Sequence, residues 1–421
     1  MNGDVEDRQV SSEQRCVLLL GQANLASEDQ EEACRLLAEP LAWQLITRSA
    51  YEEGVYPAVV RNLRRLGWRH VPEATRNELE AAERLNAARN ALLVRGLGRV
   101  LERFDRAGIP VMPLKGVALA DSLYGDVGLR VCSDLDILVP RSAVPHAFEL
   151  LQADGYEQAD RSQVKPSDIN FLARSAMEFG FTPPASAFPY LLELHWDIAW
   201  RWRGDAAMVD DLWGVARRRQ FWGIEVWTLS PEWELLYLAV HAARHRWQGL
   251  KWLVDIHEVC TRAKFDWDTV TDKARRFGLD RALAISLSAC QALFGTPLPP
   301  SYSERPVPSW LPLFPASAPQ MGEWREALLV RRLFRRRLDR LRYLARIALR
   351  PTLGELEFLR LPAGLGALYY PLRLVRLSIA TACAVSGLAA GHRNCLGLLS
   401  RKPILSPGPI GAQLAHRERV I

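Results

Sequence analysis

The sequence predicts an α+β protein, with a core of mixed strands and helices over 109–230 embedded between N-terminal and C-terminal helical regions. Three observations carry this expectation. Apolar residues recur at helical spacing from about Glu31 to Gly108 and again beyond Pro231. Between those regions, short apolar runs bounded by Gly, Pro and Asp alternate with helical stretches, the texture of strands packed with helices. The composition of the 421 residues, 49% hydrophobic and 24% charged, is globular and excludes wholesale disorder, collagen and coiled coil.

The elements follow in chain order. Residues 1–30 are polar and read as a disordered tail. The helical region 31–108 is clearest from Leu79 on, where Leu85, Leu92, Leu93, Leu97, Val100 and Phe104 keep helical spacing and Gly108 supplies a stop. Ile109 to Met112 is a short apolar run and reads as a strand, followed by a helix around Val117 to Tyr124. The run DLDILVP from Asp134 is a second strand, Ala143 to Gly155 a helix with a Gly stop, and Leu191 to Trp196 a third strand. At Ser230 a new helical domain, 231–295, begins with a cap, Pro231 at the first helical position and Glu232 and Glu234 in the first turn. A Pro-rich linker, 296–320, leads to a basic C-terminal helical region, 321–400, and a tail, 401–421.

Charge and cysteine usage narrow the setting. Fifty-four Lys and Arg against 48 Asp and Glu leave a net charge of +6, which permits anionic partners without demanding them. Much of this is local: 331–350 holds nine Arg and one Asp, leaving the remaining chain at −2. Phe334, Leu338, Leu341, Ala345 and Ala348 give that stretch an apolar stripe. It reads either as a packed helix with a solvated Arg face or as a surface for an anionic partner or a membrane. Seven cysteines in no regular spacing suggest reduced thiols and a cytoplasmic location, with peripheral membrane association through the basic helix. The acidic N-terminus does not read as a signal peptide, and the apolar stretch 377–391 falls short of the ~18–20 residues that a bilayer span needs.

The chemistry concentrates in 110–140. Residues two apart on a strand share a face, so Asp134 and Asp136 present both carboxylates to one side while Leu135 and Ile137 pack on the other. Such a pair suits Mg²⁺ beside substrate phosphates, as in phosphoryl or nucleotidyl transfer. Carboxylates beside the buried run Ile137-Leu138-Val139 are costly unless a cation neutralises them. Lys115 can pair a phosphate and Gly116 lets phosphate approach the backbone; alternatively they are a solvated Lys and a turn Gly. Arg130 either clamps a triphosphate oxygen or bridges to Asp134 or Asp126. Ser133 either donates to phosphate or caps a turn. Glu193 either completes a three-carboxylate site or is a half-exposed strand residue. His195 shares its face and reads as packed or hydrogen-bonded rather than ligating. His241 and His245, four apart on a helix and followed by Asp255 and His257, read chiefly as a structural hydrogen-bonded cluster, with a contribution to a substrate cleft as the alternative.

In order, Leu114-Lys115-Gly116, Tyr124, Arg130 and Ser133-Asp134-Leu135-Asp136-Ile137-Leu138-Val139 resemble the uncharacterised bacterial nucleotidyltransferase family of the DNA polymerase beta superfamily. The LELHW run at 192–196, the stretch 238–259 and the run YYPLRLVRL at 369–377 extend the resemblance. It implies a polymerase-beta-like mixed sheet flanked by helices, Mg²⁺ on Asp134 and Asp136, and a helper carboxylate at Glu193. It further implies transfer of a nucleoside monophosphate from an NTP to an acceptor hydroxyl, with polysaccharide or peptide natural-product synthesis as the setting. Lys115, Gly116, Arg130 and Ser133 are then the nucleotide-binding residues. Where the wider superfamily has Gly-Gly or Gly-Ser, this chain has Lys115-Gly116-Val117, and that difference motivates a second reading as a non-catalytic nucleotide-sensing or partner-binding protein.

Overall fold

The computed structural model describes residues 10–159, 164, 169, 177–199, 206–303, 306–308, 333–334, 337–351, 353–359, 361–362 and 365–385. The chain forms two compact units whose segments alternate along the sequence. The first takes the described residues of Met1–Arg95, Lys115–Cys132 and Pro231–Gln320, and the second those of Gly96–Leu114, Ser133–Ser230 and Met321–Ile421.

The first unit is helical. Helix α1 (Ser12–Leu20) opens on a capping box, in which Ser11 accepts from the Gln14 amide and Gln14 accepts from the Ser11 amide. Its run Cys16 to Leu20 is buried, and it packs on α2 (Ser27–Leu37), α3 (Trp43–Glu52) and α4 (Tyr56–Arg65). Residues 12–30 are therefore structured, in contrast to the tail expected there, because five consecutive apolar side chains are buried by neighbouring helices. Residues 1–9 of that tail lie outside the described residues. The long α5 (Glu73–Arg106) follows; its residues through Arg95 belong to this unit.

The stretch 115–132 adds a short α6 (Val117–Leu119) that runs into a π turn, Ala120–Tyr124, where the sequence predicts a helix. Gly125, in the left-handed region, ends it. The amides of Asn86 and Asn90 donate to the carbonyls of Val127, Gly128 and Arg130 and tie this stretch to α5. Four more helices, α7 (Pro231–Arg244), α8 (Leu250–Arg262), α9 (Trp267–Phe277) and α10 (Asp280–Phe294), pack together.

Part of the expected Pro-rich linker is ordered into this unit. Buried Thr296 meets the His257 ring at 2.8 Å, and buried Tyr302 sits in a one-turn helix, Pro300–Ser303. Residues 304–305 and 309–320 of that linker lie outside the described residues.

The second unit holds a five-stranded mixed sheet in the order β1-β2-β5-β4-β3. The strands are β1 (Met112–Pro113), β2 (Asp134–Leu138), β3 (Glu157–Gln158), β4 (Glu178–Thr182) and β5 (Leu191–His195). Among the described residues only β2 and β5 pair in parallel. Helix α11 (Val144–Ala153) packs Phe148 against Phe179 and Phe181.

A hairpin of Arg217–Phe221 and Ile224–Thr228 turns through Trp222 and Gly223, both at positive φ. Further on, α12 (Arg337–Leu349) and α13 (Tyr369–Val385) are helical as expected. Residues 331–332 and 335–336 of the basic stretch, and 386–421 with the tail, lie outside the described residues. Among the described residues no helix is long and apolar enough to cross a membrane.

Candidate active site

The sheet of the second unit has two unlike faces. Register pairs Asp136 with Glu193 and His195 with both Leu138 and Glu178. Paired residues of neighbouring strands point the same way, and so do residues two apart on one strand. Asp134, Asp136, Glu193, His195 and Glu178 therefore share one face. Leu135, Ile137, Leu192, Leu194, Phe179 and Phe181 line the other and are buried. The alternation in Asp-Leu-Asp-Ile-Leu and Leu-Leu-Glu-Leu-His is what divides the faces.

On the polar face His195 is central. Its Nε2 lies 3.0 Å from Asp136 Oδ1 and 3.3 Å from Glu193 Oε2, and its Nδ1 lies 3.0 Å from Glu178 Oε2. Asp136 and His195 are each only 2% exposed, and Glu178 is 7% exposed. Burial alone would lower the His195 pKa. The charge of Glu178 and the hydrogen bonds to Asp136, Glu178 and Glu193 outweigh burial and hold it well above the ordinary imidazole value.

One ligand atom each from Asp136, Glu193 and His195 lies within 4.8 Å of the others. This donor set, two carboxylates and an imidazole, fits a divalent cation, and a cation there would neutralise acids that are costly to bury. Asp134 stands outside this trio. It is half-buried on the same face of β2, with exposed Ser133 donating to its Oδ1 at 3.2 Å.

The remaining predicted residues belong to the first unit. Lys115 is buried, and Gly116 adopts φ 65°, ψ −133° directly before α6, a conformation that excludes side chains. Arg130 is paired with neither Asp134 nor Asp126. Its guanidinium binds both oxygens of Asp255 at 2.9–3.1 Å, and Tyr124 donates to Asp255 at 2.7 Å. Helix α8 brings Asp255 to it, while Asp126 accepts the Gly128 amide instead. Half-buried Tyr124 and buried Arg130, six residues apart, thus form one cluster with the sequence-distant, buried Asp255. Burial opposes the charge of Arg130, yet Asp255 raises its pKa well above the ordinary value.

His241 and His245 lie with ring centres 4.6 Å apart, and His245 stacks on Trp252 at 4.3 Å. Burial and then the charge of Lys115 hold His241 well below the ordinary imidazole value.

The sequence puts Asp134 with Asp136 and Glu193 with His195, and reads His195 as packed or hydrogen-bonded; strand register brings the two pairs onto one face and adds Glu178, which the sequence does not single out. Glu178 lies in no motif. The signal that brings it in is strand register, which a single strand does not carry.

The fold is largely helical with a small mixed sheet, and one face of that sheet gathers acids and a histidine that could together hold a metal ion. The model of the uncharacterised nucleotidyltransferases matches residues 39–295, and the chain belongs to that family. It is accordingly a nucleotidyltransferase. A search of the curated proteins finds no match to it.

Proposed function

We propose that the protein moves a nucleoside monophosphate from an NTP to an acceptor hydroxyl with the help of Mg²⁺, releasing pyrophosphate and the hydroxyl proton, in polysaccharide or peptide natural-product synthesis. The observation that carries this reading is the side-by-side pairing of Asp136 and Glu193 on the buried polar face of the sheet, within the family match. Asp134, Asp136 and Glu193 are the residues to hold the metal. When bound, the cation polarises the α-phosphate and acidifies the acceptor hydroxyl. Lys115, Gly116 and Ser133 are assigned to the nucleotide phosphates by the sequence resemblance. The Arg130 guanidinium is committed to Asp255, so its part is to fix the 124–130 turn. Asp136 is nearly inaccessible to water, and the chemistry is chiefly positioning and electrostatics. Helix α12 is assigned to an anionic partner or membrane surface.

Transfer of label from α-labelled NTPs to candidate acceptors tests the proposal. Asp136→Asn is expected to abolish transfer while the protein stays folded. Unchanged transfer by that variant would overturn the catalytic assignment. Nucleotide binding by the wild type without transfer to any acceptor would favour the nucleotide-sensing role.

A further inference from the structure

The imidazole of His195 is held from both sides. On one side, Nε2 stands 3.0 Å from an Asp136 oxygen and 3.3 Å from a Glu193 oxygen. In an octahedral sphere with ligands at about 2.1 Å, neighbouring donor atoms stand about 3.0 Å apart. Both distances from Nε2 are therefore close to the spacing of neighbours around one ion, and the ligand atoms of all three groups lie within 4.8 Å of one another. On the other side, Nδ1 meets Glu178 at 3.0 Å. A carboxylate on the far nitrogen is the arrangement that fixes the ring of a metal-bound histidine and aims the near nitrogen at the cation. Register makes this rigid, because Glu178 and His195 are directly paired across β4 and β5. Asp136, His195 and Glu178 are also nearly inaccessible to water.

We propose that His195 Nε2 is a ligand of the cation held by Asp136 and Glu193, with Glu178 as its orienting partner, and that this cation is Mn²⁺ or a neighbouring first-row divalent ion. The inference rests on the metal-dependent reading above and specifies its donor set. The ion takes the position of the Nε2 hydrogen, which leaves as a proton, while Nδ1 keeps its hydrogen, 3.0 Å from the Glu178 carboxylate. Mg²⁺ prefers an all-oxygen sphere with several waters, whereas an imidazole nitrogen favours transition ions. A second ion that arrives with the triphosphate can still be Mg²⁺, since its ligands are oxygens.

The test uses the full-length, tag-free protein with Mn²⁺ alone as the probe. Pulsed electron paramagnetic resonance reads direct ¹⁴N coupling from a bound imidazole, and competition with Mg²⁺ reads preference. The wild type is expected to show ¹⁴N coupling and to bind Mn²⁺ at least about tenfold more tightly than Mg²⁺. His195→Gln is expected to lose the coupling. Glu178→Gln is expected to keep it while Mn²⁺ affinity falls about 10–100-fold. Bound Mn²⁺ without nitrogen coupling, lost on Asp136→Asn, would overturn the histidine ligand and leave the metal-dependent reading standing. No saturable Mn²⁺ or Mg²⁺ binding to the wild type would overturn both. Should His195→Gln fail to fold, the wild-type coupling decides the matter, with Asp136→Asn as the control that places the ion.

Discussion

At the scale of single residues, a buried ion pair and a buried carboxyl in the helical unit behave in opposite ways. Arg130 and Asp255, 6% and 1% exposed, satisfy one another. Removing one partner from such a pair leaves an uncompensated buried charge, which costs about 3–5 kcal/mol. Asp255→Ala is therefore expected to lower unfolding free energy by that amount in denaturant titration. The double variant Arg130→Met/Asp255→Leu is expected to recover most of it, because no charge is left stranded. Equal losses in both variants would show that the pair itself, and not the stranded charge, sets the cost. Among the described residues Glu53 has no such partner. Its carboxylate accepts the Leu250 amide at 2.7 Å, but burial dominates and pushes its pKa up to about 7 from the ordinary 4.5. Below about pH 4.5 both folded and unfolded states carry the proton, and the group is neutral in its effect. As pH rises from 4.5 to 7 the unfolded state ionises first, so stability falls, by about 3 kcal/mol in all. Glu53→Gln keeps an acceptor for Leu250 and removes the titration. Its stability advantage over the wild type should grow across that window and level off above pH 7. A difference that is flat with pH would refute the assignment.

At the scale of elements, legibility follows periodicity. The Asp134–Asp136 pair and Glu193 could be read because a strand's period of two assigns faces from one segment alone. Glu178 could not, because its place beside His195 depends on how β4 aligns with β5, and the sequence Glu-Phe-Gly-Phe-Thr offers no reason to select that register. Helix α1 was illegible for a related reason: Cys16 to Leu20 is apolar on every side, so it shows no amphipathic stripe to distinguish it from a stray apolar run. Helix α12 is the reverse case, a stripe that is legible but not wholly buried. Leu338 and Leu341 are exposed beside exposed Arg337 and Arg342. If this face meets an anionic membrane, each arginine near the surface contributes about 1 kcal/mol. Arg337→Ser/Arg342→Ser should then weaken binding to vesicles of phosphatidylcholine with phosphatidylserine by about thirtyfold. The wild-type affinity should also fall as salt rises, because exposed charges are screened. Binding to neutral vesicles at the same strength, or none to either, would remove the membrane assignment.

At the scale of the whole molecule, the compact units do not follow the chain-order blocks that sequence texture suggests. The mixed stretch 109–230 looks like one domain because strands and helices alternate there, yet its core is incomplete. The last turns of α5 belong to the same unit, and Leu97, Val100, Leu101 and Phe104 are buried in it. Gly96 marks how tightly they pack: a methyl group there would meet the Tyr190 ring at 2.8 Å. Four such side chains contribute about 6–12 kcal/mol, comparable with the ~5–15 kcal/mol that holds a typical domain folded. The stretch also contains 115–132, whose buried Arg130 would lose Asp255 and whose carbonyls would lose Asn86 and Asn90. Periodicity could not show this, because it marks where α5 is helical but not which unit each of its turns completes. Residues 109–230 produced alone are therefore expected to lack a cooperative thermal transition and the near-ultraviolet circular dichroism of packed tryptophans. Extending the fragment back to Gly96 should restore part of the core but leave Arg130 stranded, so it too should fall short of the full chain. A sharp, two-state melt from 109–230 would show that the turns of α5 and the partners of 115–132 are dispensable, and that the sheet with its acidic face is an independent folding unit.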